Sequence, residues 1–187
     1  MSMSKLDDGK KLTPTILFED THLIVLSKPA GLLSQGGADN PDQPNLVDWL
    51  RSYLGRHYVG LIHRLDRNTS GIMLVAKRTK SATRLSQALQ HGEITRTYIG
   101  WVEGRVTKPL QWQHYLIKNE LKNLVSVTRD HSPDSKLASL RAKPLANGTW
   151  RGIDLTLLEF ELDTGRSHQI RVQCAHEGFP LLGDTKY

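Results

Sequence analysis

Apolar positions recur along this chain at two spacings, and the switches between them divide it into elements. Ile16-Leu17-Phe18-Glu19 and His22-Leu23-Ile24-Val25-Leu26 flank Asp20-Thr21, which predicts a strand, a turn and a second strand. Lys28-Pro29-Ala30-Gly31 ends that pairing, and Gly36-Gly37-Ala38-Asp39-Asn40-Pro41 reads as a loop. Leu46, Trp49, Leu50, Tyr53 and Leu54 then fall at helical spacing, with Asn45 as N-cap and Gly55 as the stop. Leu61-Ile62 enters a charged stretch and Ile72-Met73-Leu74-Val75-Ala76 leaves it, both with the continuous apolar character of buried strands. Thr79 is the expected cap of a helix that buries Ala82, Leu85 and Leu89 and ends at Gly92.

The second half is richer in alternation. From Ile94 to Glu103 one face carries Ile94, Arg96, Tyr98 and Val102 and the other Ile99 and Trp101, the pattern of a strand. Shorter strands fit Tyr115–Lys118, Leu124–Thr128 and Ser139–Leu145. Ser132 to Ser135 is turn-like, and Ala146-Asn147-Gly148 carries a hairpin signal. Ile153 to Leu162 is a long strand feeding Asp163-Thr164-Gly165-Arg166. Ser167 is there the expected cap of a helix carrying His168, Gln169, Ile170, Arg171 and Cys174, with Gly178 as its C′ residue. A strand, a glycine and a helix start in that order offer N–H groups to an anion, and Arg166 adds charge. Phe179 to Tyr187 is turn-rich and apolar. Short hairpins with three clear helices predict an α+β fold with a mixed, largely antiparallel sheet flanked by a few helices. The phosphate-cradling Walker pattern and the dinucleotide glycine fingerprint are both absent.

At 187 residues the chain is long enough to bury a core, and 38% hydrophobic with 24% charged residues is ordinary for a globular protein. The formal charge of +6 is spread along the chain rather than gathered in a tail, and it favours a polyanionic partner such as nucleic acid. The single cysteine, Cys174, excludes an internal disulfide and reads as core; no Cys/His set has zinc spacing. Residues 1–13 are polar and charged, which predicts a disordered leader and no signal peptide. The longest apolar runs are about five to six residues, against roughly 20 for a bilayer span. A cytoplasmic monomer without membrane attachment is the expectation.

The chemistry concentrates in His63-Arg64-Leu65-Asp66-Arg67-Asn68-Thr69-Ser70-Gly71, one carboxylate between two arginines, placed on a loop between buried strands. Taken alone, that arrangement is better explained by a structural ion pair. Four stretches together resemble the RluA-type pseudouridine synthases, which isomerise uridine in RNA. Ile16-Leu17-Phe18-Glu19-Asp20 to Lys28-Pro29-Ala30-Gly31 is similar to that family's opening hairpin and turn. His63-Arg64-Leu65-Asp66 with Thr69-Ser70-Gly71 is similar to its catalytic motif. Arg96-Thr97-Tyr98 resembles its Lys-x-Tyr strand, with arginine for lysine. Gly165-Arg166-Ser167-His168-Gln169-Ile170-Arg171-Val172, then Leu181-Leu182-Gly183-Asp184-Thr185-Lys186-Tyr187, resemble its last pair of motifs. The resemblance runs over residues 15–187 in the family's order.

It implies the pseudouridine synthase fold, with residues 14–187 as the catalytic domain, no small N-terminal RNA-binding domain of the S4 type, and a chain trimmed before the family's closing strands. It makes Asp66 the catalytic carboxylate, with Arg171, or second Arg166, as the guanidinium beside it. Tyr98 becomes the ring that stacks on uracil, and Leu182 with Leu181 the apolar wall opposite. Arg64 is placed to guide the backbone or fill the position of a flipped-out base, Arg67 and Arg166 to bind RNA phosphate, and His168 to bind near the substrate or supply a structural hydrogen bond. Ribosomal or transfer RNA is the implied partner, with no metal and no cofactor. Two rivals remain: an RNA-binding module without turnover, and a carboxylate-dependent glycoside hydrolase. The latter needs a second acid about 5 Å from the first, and no motif offers one.

Overall fold

The computed structural model describes residues 12–37, 42–129 and 131–187. The chain divides between Glu93 and Ile94 into two units, each built on its own sheet. Most of the leader expected over 1–13, and Ala38 to Pro41 of the expected loop, lie outside the described residues.

In the first unit, β1 (Thr15–Glu19) and β2 (Leu23–Lys28) pair antiparallel around Asp20. The Asp20 carboxylate accepts the N–H groups of His22 (2.6 Å) and Leu23 (2.8 Å) and so fixes the turn. β2 also pairs with β4 (Gly71–Ala76), and β4 with the two-residue β3 (Gly60–Leu61), giving the antiparallel order β1-β2-β4-β3. Alternation along β2 buries Ile24, Leu26 and Lys28, while β4 buries Met73, Val75 and Ala76. Helix α1 (Leu46–Leu54) begins where the sequence predicts. The Asn45 side chain accepts the Asp48 N–H (3.0 Å), and Gly55 closes the helix at φ 61°, a conformation that favours glycine. Leu46 and Leu50 on its inner face are fully buried, each contributing about 2 kcal/mol.

Helix α2 (Thr79–Gln90) departs from expectation at its start. Thr79 is its first helical residue rather than its cap; the extended residue before it is Arg78, which makes no side-chain capping bond. Ala82, Leu85 and Leu89 are only half-buried, because α2 lies on the surface of its unit.

The second unit carries β5 (Thr97–Glu103), β6 (Leu110–Asn119), β7 (Leu124–Thr128), β8 (Lys136–Trp150) and β9 (Ile153–Leu162) in the antiparallel order β5-β9-β8-β6-β7. Its core gathers Val102, Val106, Trp112, Leu140, Ala142, Leu158, Phe160 and Cys174, with a second cluster of Leu116, Val125, Ala138 and Val172. Burial pushes the Cys174 thiol up to about 12, so this cysteine is core, as expected.

β6 and β8 run longer than the sequence suggests, and the Ala146-Asn147-Gly148 hairpin signal is overridden. Those residues lie inside β8, opposite Leu157, Thr156 and Leu155, beyond the reach of β6. The turn falls instead at Arg151 and Gly152, both at positive φ (51° and 81°), as a two-residue hairpin requires. Pro144 sits at the irregularity in that ladder, where β8 pairs only with β9 and its missing N–H goes unneeded.

Helix α3 (Gln169–His176) is also capped differently from expectation. Its N-cap is His168, at φ 53°, not Ser167. The reason is Gln169, which is buried. Its Oε1 accepts from the Arg166 N–H (2.9 Å) and the Thr164 hydroxyl (2.8 Å), and its Nε2 donates to the Ser139 carbonyl (3.0 Å), pulling the chain into a turn one residue later. Gly178, at φ 83°, follows the C-cap Glu177 as predicted. Among the described residues all strand pairs are antiparallel, so the α+β expectation is met there by two antiparallel sheets with three helices. Among the described residues no helix is long and apolar enough to cross a membrane.

Candidate functional site

In the first unit, Asp66 lies on the loop between β3 and β4 and is half-buried. Its two chain neighbours are held by bonds from elsewhere in the unit. The buried Ser34 hydroxyl donates to the Leu65 carbonyl (2.6 Å) and accepts the Leu65 N–H (3.1 Å). The Arg67 carbonyl accepts from the Gly31 N–H (2.7 Å) and from the Lys28 ammonium (3.2 Å). Behind these, the His63 Nε2 accepts the Leu74 N–H (3.3 Å), and the Thr69 N–H closes a turn onto the Asp66 carbonyl (3.1 Å). The carboxylate is thus aimed by a frame of backbone contacts.

Lys28 is the member of this group that sequence reasoning passed over. It is fully buried, and its Nζ donates to the carbonyls of Leu32 (2.7 Å), Pro29 (3.0 Å) and Arg67 (3.2 Å). Burial pulls its pKa down to about 8, and the charge of Asp66 acts in the opposite direction. The arginines flanking Asp66 take other positions. Arg64 is exposed, and Arg67 is exposed with its Nε donating to the Gly31 carbonyl (3.1 Å).

In the second unit, Leu181 and Leu182 lie alongside β5, the strand that carries Tyr98. Tyr98 is half-buried opposite Phe160 of β9 and packs against the main core cluster, as Leu181 does. The segment after α3 runs along the outer edge of β5. The Glu103 N–H donates to the Pro180 carbonyl (2.9 Å) and the Leu182 N–H to the Trp101 carbonyl (2.8 Å). A Cβ on Gly100 would lie 3.2 Å from Leu181, so the glycine makes room for that leucine. The alternation read from the sequence holds: Tyr98 and Val102 face inward, and Ile99 and Trp101 are exposed.

Arg171 projects from α3 into a two-pronged pair with Asp184, Nε to Oδ2 at 2.6 Å and Nη2 to Oδ1 at 2.7 Å. The Arg171 guanidinium beside it is the main reason Asp184 is held below the usual carboxylate range; the N–H groups of Lys186 and Tyr187 add to this, against the effect of burial. Arg171 also lies 5.1 Å from the centre of the Tyr187 ring. The Tyr187 hydroxyl accepts the Val125 N–H (3.0 Å) and shares a hydrogen bond with His168 Nδ1 (2.6 Å), so His168 has a structural hydrogen bond in this unit. Arg166 is exposed, its Nε donating to the Leu137 carbonyl (2.8 Å). Asp184 is a second residue the sequence did not single out. Its place in the resembling segment was the available signal.

Among the described residues the one group with metal-ligand chemistry is His114, His176 and Glu177, whose ligand atoms lie within 4.8 Å of one another. The residues come from β6 and from the end of α3, so no sequence spacing announces them. Their hydrogen bonds do not suit a metal. The Gln173 amide donates to the Ala138 carbonyl (3.3 Å) and to His114 Nδ1 (2.9 Å), so the His114 proton is on Nε2, where it meets the Glu177 carboxylate at 2.9 Å. A metal at Nε2 would need that proton on Nδ1, which faces a donor.

Comparison with known proteins bears on the whole chain. The solved structure of human RNA pseudouridylate synthase domain containing 1 superposes with a TM-score of 0.76 over 94% of this chain and 70% of that one, at 21% identity, which establishes the fold. The ribosomal large subunit pseudouridine synthase C of Rickettsia prowazekii (strain Madrid E) is 35% identical over 179 residues, covering 95% of this chain and 57% of its own. Synthase D of Yersinia pestis is 35% identical over 175 residues, covering 92% and 52%. The chain therefore spans about half the length of these curated relatives. The profile described as RNA pseudouridylate synthase matches residues 22–176. With that match across most of the sequence and relatives 35% identical over more than nine-tenths of it, the chain belongs to the RNA pseudouridylate synthase family.

Proposed function

We propose that this chain is an RNA pseudouridine synthase, converting uridine in RNA to pseudouridine, with Asp66 as the catalytic carboxylate. The observation that carries the reading is the anchoring of Asp66, half-buried between a Leu65 tied at both backbone groups to Ser34 and an Arg67 tied to Gly31 and Lys28. A carboxylate that must meet one carbon of a sugar gains from being held before the substrate arrives.

The reaction breaks the N1–C1′ bond, turns the uracil and joins C5 to C1′. The hydrogen on C5 leaves to solvent and N1 gains one, with no net oxidation or hydrolysis, so the reading assigns no cofactor and no metal. Asp66 acts on the sugar, by attack or by taking a proton. Tyr98 stacks on the uracil ring, and Leu181 with Leu182 forms an apolar wall for it; the packing of Tyr98 and Leu181 on one cluster supports that pairing. Arg171 balances the carboxylate's charge, and its grip on Asp184 supports a fixed orientation for it. Arg64, Arg67, Arg166 and His168 bind the RNA around the reacting nucleoside. The target base is unpaired or flipped out of its stack.

The names of the relatives support ribosomal RNA as the substrate class, with transfer RNA the other candidate, and a cytoplasmic setting. Residues 14–187 act as one catalytic domain and as a monomer. The test is release of tritium from RNA labelled at uridine C5, since the new carbon–carbon bond displaces that hydrogen. Release by the wild type and none by Asp66→Asn, with RNA affinity kept, is the expected result. Turnover retained in Asp66→Asn would defeat the assignment.

A further inference from the structure

Arg96 stands immediately before β5. Its carbonyl accepts the Leu162 N–H (3.1 Å), so its backbone continues the ladder with β9. Its side chain is half-buried, and among the described residues no carboxylate pairs with it. Nε is closed off from solvent without an acceptor, and Nη2 reaches only the Leu162 carbonyl, at 3.5 Å. Other arginines of this unit are satisfied: Arg141 by Glu161 and Asp163, Arg171 by Asp184, Arg166 by the Leu137 carbonyl.

Nη1 lies over Gly165, so close that a Cβ there would overlap it. The φ of Gly165 is outside the left-handed region, and the three heavy atoms nearest that Cβ all belong to the Arg96 guanidinium. The guanidinium of Arg96 is therefore the first group that a side chain at this position would displace. Gly165 is itself exposed, so the guanidinium meets the surface across a bare Cα. A permanent cation with five donors, partly withdrawn from water and given one long carbonyl contact, is an incomplete arrangement that an anion would complete.

We propose that Arg96, laid over Gly165, is a subsite for a phosphodiester of bound RNA. The proposal rests on the RNA reading above, which supplies the anion. Tyr98 follows two residues along the same face, about 7 Å of extended chain. A phosphate flanking the nucleoside stacked on Tyr98 falls within reach of that guanidinium. The planar fork matches phosphate oxygens two at a time.

The test is binding of a fluorescein-labelled, uridine-containing oligoribonucleotide by anisotropy, over salt from about 50 to 200 mM. Arg96→Gln is expected to weaken binding about tenfold at the lowest salt and to flatten the plot of log K against log salt by about 0.7 to 1. Gly165→Ala keeps the charge but evicts the guanidinium. It is expected to weaken binding too, and to add nothing when combined with Arg96→Gln. Affinity within about twofold of wild type and an unchanged salt slope in Arg96→Gln would overturn the proposal, as would additive losses in the double variant. Thermal melts of each variant identify loss of fold. Tritium release from the same preparations separates the two readings. No release by the wild type with the Arg96 effects intact defeats the isomerase and leaves the subsite standing. Normal release with no Arg96 effect does the reverse.

Discussion

Replacing Lys28 by methionine asks whether a buried ammonium holds the Asp66 loop. Three carbonyls, of Leu32, Pro29 and Arg67, accept from Lys28 Nζ at 2.7, 3.0 and 3.2 Å. A hydrogen bond to a charged group contributes about 1.5–3 kcal/mol, so the three together are worth roughly 5–9 kcal/mol before the burial of the charge is counted. That burial lowers the lysine from 10.5 to about 8, the charge of Asp66 opposing the shift. At about 1.4 kcal/mol per tenfold change in proton affinity, it costs about 3.5 kcal/mol. Methionine keeps most of the volume and leaves the carbonyls of Leu32 and Pro29 without a donor, while that of Arg67 keeps only the Gly31 N–H. The net loss is therefore about 2–5 kcal/mol, or a fall in Tm of roughly 5–15 °C for a chain of this size.

Urea denaturation at neutral pH measures the loss. A second readout comes from pH. Between about 8 and 10.5 the unfolded chain binds more protons at this lysine than the native one, so wild-type stability rises with pH across that window. The methionine variant lacks that contribution. A variant within about 0.5 kcal/mol of wild type, or one with the same rise, would refute the reasoning.

Two further outcomes are expected. Asp184→Asn removes the anion that holds Arg171, with a loss of about 2–4 kcal/mol in denaturant titration. Because Asp184 sits below its ordinary value of 3.8, its contribution is complete above that pH and fades as pH falls through the lower folded value; the variant's acid limb should be correspondingly shallower, and an identical limb counts against the pairing. Tyr98→Ala should reduce tritium release about 10- to 100-fold by loss of base stacking, and unchanged kinetics would return Tyr98 to a packing role.

The parts of this fold legible in the sequence are those where local chemistry and tertiary packing agree. Ile153–Leu162 alternates and is a strand with those bounds, and Asn45 and Gly55 bracket α1 because a capping oxygen and a left-handed closing residue are local requirements. Asn147-Gly148 misled for the opposite reason. A good turn dipeptide was held in a strand by its register against Thr156 and Leu155, while an Arg-Gly pair took the turn. Of the candidate site, the loop bearing Asp66 was readable from the apolar runs on either side of it. The groups that aim it were not. Lys28 and Ser34 work through main-chain carbonyls and N–H groups of distant segments, which carry no residue-type signature. Asp184 meets Arg171 from a loop rather than along the same helix, so no helical period connects them.

The position of β5 in its sheet also bears on the order of assembly. β6 with β7, and β8 with β9, are hairpins between consecutive strands that close locally. β5 has no such neighbour: its register partner is β9, and its other edge waits for Pro180 and Leu182, both near the far end of the unit. Pairings between segments distant in sequence cost more loop-closure entropy than local hairpins. The strand that carries Tyr98, with Arg96 at its entrance, is thus expected to join its sheet last, and hydrogen exchange of its amides faster than those of β8 and β9 would show it.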